Sequence, residues 1–182
     1  MDDKTRKYLE HIDSKDRDLQ NAAFNHLLKE TEKPVDWAYE CWDFLVKGLR
    51  HQDNHARAIS AQILANLAKS DSQNRMRKDF PALMAVTQDD KFVTARHTLQ
   101  SIWKVGAQKK MQKTVVDALA ARFKNCRTEK NWTLIRYDII QSLRNLYDEV
   151  RDEKIKQTAL KLIETEDDLK YREKYAGVWK DT

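Results

Sequence analysis

One pattern recurs along the chain and limits its fold more than any other feature. In the stretch Asp53 to Lys69, DNHARAISAQILANLAK, an Asp53-x-x-x-Arg57 opening leads into Ala61, Leu64 and Leu67 at helical spacing. Arg96 leads in the same way into Leu99, Ile102 and Val105, and Arg136 into Ile140, Leu143 and Leu146. Asp168-x-x-x-Arg172 leads into Ala176, and Phe24, Leu27 and Glu30 make an earlier copy. The anchors Phe24, Ala61, Leu99, Ile140 and Ala176 stand 37, 38, 41 and 36 residues apart. That is the period of stacked helical pairs, in which no pair buries its apolar face without a neighbour. The expected fold is all-α: a right-handed α-α superhelix of about five antiparallel pairs in one repeat domain, with repeats near 1–33, 34–70, 71–106, 107–148 and 149–182.

The remaining sequence agrees with long helices and short connections. Only three Gly and two Pro interrupt 182 residues, so helices have few breakers and strands few places to start. The first pair reads as Asp3–Ile12 and Asp16–Lys29, with Ser14 or Asp16 as cap. Pro34 suits the first position of the next helix, Val35–Arg50, the most apolar of the chain. Its Asp36, Glu40, Asp43 and Lys47 fall on one narrow stripe, the only line along which water should reach it. After Asp53–Lys69, capped by Asp53 or Asn54, the third pair spans Ser72–Thr87 and Asp89–Val105, with a kink or restart expected at Pro81 and a C′ glycine at Gly106. Gln108–Lys124 with Lys130–Tyr147, and Arg151–Glu164 with Asp167–Ala176, complete the array. The first helix of each pair is termed A and the second B.

No apolar run reaches the roughly 18 residues needed to cross a bilayer, and the start MDDKTRKYLEHIDSKD has no apolar signal-peptide core, so a cytoplasmic protein is expected. Cys41 and Cys126 form no C-x-x-C pair and should be reduced and buried. The net charge of +5 is uneven: −2 over residues 1–50, +2 over 51–100, +5 over 101–150 and zero over 151–182. A surplus of that size favours solubility and attracts anions weakly, without naming a ligand.

The turn-and-helix pattern resembles the HEAT-repeat family. Its repeats run helix A, a turn with Asp, then helix B opening with Arg. The resemblance is clearest in LVKGLRHQDNHARAISAQILANLA, where Leu45, Leu49, Asp53 and Arg57 fall in step, and it returns at Asp168 and Arg172. The first copy departs from the pattern with Gln20 in place of Arg, and the fourth with Asn131 in place of the turn Asp. The resemblance implies that Arg57, Arg96, Arg136 and Arg172 form a structural ladder tied to neighbouring turns, and that the B helices line a concave surface. A phosphate-binding row is the competing reading of the same arginines.

Two surfaces stand out as candidate sites. The position after each anchor is Asn25, Gln62, Gln100 and Gln141 in four successive copies, followed one turn later by Lys29, Asn66, Lys104 and Asn145. An amide donates and accepts at once, so such a row can read the backbone of an extended peptide laid across helices about 9–10 Å apart. The bland reading is that amphipathic helices need polar residues there in any case. The second surface is the edge where A helices start and B helices end. It collects Lys69, Arg75, Arg77, Lys78, Lys104, Lys109, Lys110, Lys113, Arg151, Lys154 and Lys156, while the A-to-B turns collect Asp53, Asp89, Asp90, Glu166, Asp167 and Asp168. Bases at helix starts oppose the helix dipole, which makes the edge a candidate anion-binding surface for nucleic acid or an acidic protein, against the plain alternative of a cationic solvated face.

Catalytic signatures are thin. His51 and His55 straddle a helix start, no H-E-x-x-H set occurs, and neither a glycine-rich phosphate loop nor a nucleophile elbow is present. Trp42 and Trp103 suit packing better than stacking. The expectation is a monomeric, non-enzymatic module without cofactor or metal, binding another protein or peptide through Asn25, Gln62, Asn66, Gln100, Lys104, Gln141 and Asn145. The alternative is a nucleic-acid-associated protein using the basic edge. If neither surface serves, the apolar helix Val35–Leu49 is the next place to look.

Overall fold

The computed structural model describes residues 1–180; the last two residues of the expected fifth repeat lie outside the described residues. Everything described is helix, turn or loop, with no strand among the described residues. The chain divides into two compact units, Met1–Ser101 and Ile102–Thr182.

The first unit holds α1 (Asp3–His11), α2 (Arg17–Glu30), α3 (Ala38–Gly48), α4 (Asn54–Leu67), α5 (Met76–Val86) and α6 (Phe92–Ser101). Successive helices pair as α1 with α2, α3 with α4 and α5 with α6, and the B helices also pack side by side, α2 on α4 and α4 on α6. The centre of the unit is α4, whose Ala56, residues 58–61 and residues 63–67 are all buried. Helices pressed on several flanks need short side chains, which explains the alanines of this stretch. At Gly48 the approach of α3 to α4 is so close that a Cβ atom would stand 2.2 Å from Ser60 Oγ.

The second unit holds α7 (Trp103–Gly106), α8 (Gln112–Asn125), α9 (Trp132–Val150), α10 (Glu153–Glu164) and α11 (Leu169–Ala176), ending in the 3-10 turn Gly177–Trp179. Here α8 and α10 lie together, each against α9, and α11 packs on both α9 and α10. Val115, Leu119, Phe123, Ile139, Leu143 and Leu146 are fully buried.

Several boundaries differ from expectation, each with a local cause. Pro34 does not open a helix: Val35 N–H donates to Ser70 Oγ at 2.9 Å, and α3 begins only at Ala38 after a turn. Helix α5 begins at Met76, not Ser72, because both oxygens of Asp71 take backbone N–H groups, those of Arg75 at 2.9 Å and Met76 at 2.8 Å. The helix then runs through Pro81 without a restart. The expected helix Asp89–Val105 is interrupted at Ile102, just after Thr98 and Ser101 turn their hydroxyls back onto the carbonyls of Thr94 and His97. Such back-bonding bends helices. Gly106 is not a left-handed C′ residue, since no glycine has positive φ. It is small because a Cβ atom would stand 2.8 Å from Leu146 Cδ2.

Candidate functional site

The recurring arginines bind to the protein itself. Arg57 grips Asp89 through Nε at 2.5 Å and Nη2 at 2.8 Å, while its Nη1 donates to the carbonyls of His51 and Gln52. Arg136 is buried between rings, its guanidinium 4.3 Å from Phe123 and 5.1 Å from Trp132, and donates to Glu166 at 2.6 Å and to Phe123 O at 3.1 Å. Arg172 donates to Glu166 O at 2.7 Å. In the first copy, where Gln20 replaces the arginine, Arg17 one turn earlier holds Asp53 at 2.7 and 3.0 Å, and Gln20 bonds both Asp53 and Ile12 O. The guanidinium has moved along the helix and the tie is kept. Asp53 is consequently spent on this tie and does not cap α4 with its side chain.

These ties set the electrostatics of the turns. Hydrogen bonds from Arg17 hold the Asp53 carboxyl well below the usual carboxylate range. Burial works against ionisation of Asp89, but the Arg57 hydrogen bond and its backbone partner at Lys91 outweigh it and lower its pKa. The two thiols are buried, and burial pushes Cys41 up to about 12 and raises Cys126 too. Neither is an available nucleophile at neutral pH.

The amide row separates residue by residue. In the first unit Asn25 and Gln100 are exposed and Gln62 is half-buried, one each on α2, α6 and the α4 between them. Gln62 Nε2 donates to Ala58 O on its own helix at 3.1 Å, so its amide nitrogen is already used in part. Asn66 must be withdrawn from the row: it is 2% exposed and its Nδ2 donates to Thr31 Oγ1 at 3.0 Å, tying α4 to the end of α2. In the second unit Gln141 donates to Asn145 at 2.9 Å on the same helix, and Lys104 lies half-buried with its ammonium 5.9 Å from the Trp103 ring.

The basic edge is likewise divided. Lys69 donates to Glu32 O at 2.8 Å, Arg75 pairs with Asp43 while lying 5.7 Å from both the Tyr39 and Trp42 rings, and Lys113 pairs with Asp117. Arg77, Lys78, Lys109, Lys110 and Lys154 are exposed and make no side-chain pair among the described residues. Acids stand among the bases of the second unit: Asp148 pairs with Arg144 and Arg151, and Asp152 takes Lys154 N–H and Gln112 Nε2.

A cleft in the first unit was not read from the sequence. Between α3 and α5, and beside the turn at His51, lies an open cavity of about 890 Å³ floored by Phe44, Val46, Pro81 and Ala82. A smaller cavity of about 300 Å³ continues it along Ala82, Ala85 and Val86. The stripe Asp36, Glu40, Asp43 and Lys47 is exposed as expected, but Phe44 and Val46 beside it are only half-buried, so water reaches α3 over a wider face. The available signal was Pro81, Ala82 and Ala85 at helical spacing, side chains too short to fill the space opposite α3.

No family model matches the sequence, and no curated protein matches it. Among solved structures, the crystal structure of an engineered protein from the Northeast Structural Genomics Consortium is similar over 100% of both chains, with a TM-score of 0.52 and 15% identity. At that identity the likeness concerns the fold alone.

Proposed function

We propose that the protein is a non-enzymatic, HEAT-like interaction scaffold that holds another protein or a peptide against the outward side of its B helices. What carries the reading is the first unit, where Asn25, Gln62 and Gln100 reach water at corresponding positions of three adjacent helices. Amides at corresponding positions of packed helices, two exposed and one half-buried, offer donors and acceptors of the kind a partner backbone needs. Arg57, Arg136 and Arg172, tied to Asp89 and Glu166, are taken as architecture. Among the described residues no helix is long and apolar enough to cross a membrane, and a monomer acting in the cytoplasm is the proposed state.

The test begins with a partner purified on the intact protein and identified by mass spectrometry. Replacing Asn25, Gln62 and Gln100 by Ala should abolish its binding without altering the circular dichroism spectrum. Undiminished binding would remove the B-helix surface from consideration.

A second reading is favoured by the second unit, which carries 18 Lys and Arg against 13 Asp and Glu and leaves Lys109, Lys110 and Lys154 exposed. In that reading the edge holds a nucleic-acid backbone. Retention on DNA that falls steeply with salt, and is lost on changing Lys109, Lys110 and Lys113 to Glu, would support it. Salt-independent behaviour would dismiss it.

A further inference from the structure

We infer that the cleft between α3 and α5 is a second docking surface, built for a peptide segment of a partner protein that carries acidic residues beside apolar ones. The inference shares with the scaffold reading only the idea that the partner is a protein, and it uses the A helices.

The floor of Phe44, Val46, Pro81 and Ala82 is apolar and open to solvent. Its size suits a few side chains of a partner, not a large globular face. The cleft exists because α5 turns a proline and two alanines, Ala82 and Ala85, toward it where bulky side chains would close the gap. Partner apolar groups entering here would be removed from water along with the floor itself.

The charges around the floor choose the sign of the occupant. Two of its acids are paired with arginine cations, while the other two meet only a neutral indole and an imidazole. Asp43 pairs with Arg75, Asp89 is gripped by Arg57, Asp79 accepts the Trp42 indole N–H at 2.8 Å, and Asp13 stands 3.8 Å from His51. The bases Lys47, Arg50 and Lys78 are exposed and have no side-chain partner among the described residues. Three bases against the two carboxylates that lack an arginine leave the rim with a net positive charge. A peptide carrying carboxylates beside its apolar anchors would complete both the floor and the rim, whereas a basic peptide would meet three free cations.

The intact 182-residue chain would be used to select from a display library of short random peptides, and a fluorescein-labelled selected peptide measured by anisotropy. The expected winners combine Asp or Glu with Leu, Phe or Trp. Changing Lys47, Arg50 and Lys78 together to Glu should weaken binding by about tenfold or more, and added salt should weaken it too. Because all three bases are exposed and unpaired, the variant should keep its helical spectrum. Ala82→Leu fills the floor at constant charge and should also weaken binding. The Asn25, Gln62 and Gln100 alanine variant should bind the peptide normally.

Selection of basic or uncharged sequences, or full binding by both cleft variants, would overturn the inference. Loss of the peptide only in the amide variant would overturn it while supporting the B-helix scaffold. Displacement of the peptide by a single-stranded oligonucleotide with loss of oligonucleotide binding in the Lys47, Arg50 and Lys78 variant would also overturn it, by giving the cations a different class of partner.

Discussion

At the scale of single residues, the informative groups are the charged ones that the fold has enclosed. Arg136 and Glu166 have side chains 4% and 0% exposed and pair at 2.6 Å, with Arg127 a second, longer contact of Glu166 at 3.5 Å. Removing Arg136 leaves the buried Glu166 carboxylate with only the more distant Arg127, and Arg136→Ala should cost about 3–5 kcal/mol in urea denaturation. A loss no larger than that of an exposed Lys→Ala change would contradict the buried tie. Asp53 supplies the pH dependence. Its pKa is lower folded than unfolded, so its contribution is complete above the unfolded value of about 4 and disappears as pH falls through the folded one. The stability gap between the wild type and Asp53→Asn should therefore be widest at neutral pH and narrow as the solution is acidified. A gap that widens in acid would reverse the assigned sign.

At the scale of elements, the contact of α3 with α4 is set by two small groups. A methyl at Gly48 would collide with Ser60, whose hydroxyl is buried and makes no hydrogen bond. Gly48→Ala should lower stability by about 1–3 kcal/mol through overpacking, despite the better helix propensity of alanine. Ser60→Gly in the same chain should return part of that loss. If Gly48→Ala stabilises the protein instead, helix propensity outweighs the clash and the close approach is looser than described. Helix caps follow the same logic of competing uses. Asp16 and Asp168 are free to accept backbone N–H groups, whereas Asp53 is drawn away by Arg17 and Gln20.

At the scale of the molecule, protection should follow enclosure within each unit. Helix α4 has neighbours on the sides of α2, α3 and α6, and almost all of it is buried. Its amides should exchange most slowly in the first unit, and those of α1, which packs on α2, faster. In the second unit the 19-residue α9 should exchange slowly and the eight-residue α11 faster. Equal protection of α9 and α11 in a hydrogen-exchange experiment would show that unit to open as one body.

The helical class, the pairing of successive helices and the burial of Ala61, Leu64, Leu99, Ile140 and Leu143 are properties of periodicity, and periodicity is written in the chain. The tie at Gln20 was visible only as a departure, because a helix can supply the same guanidinium from Arg17 one turn away and a motif read by position misses the exchange. Asn66 occupies a polar position of the repeat yet is buried, since a neighbouring helix end brings Thr31 within 3.0 Å of it. The cleft beside Pro81 likewise depends on how far α5 stands from α3, a distance no local pattern encodes. Sequence determined which residues can bury a face and which can ionise. Tertiary packing decided which polar groups were already satisfied, and so which remain for a partner.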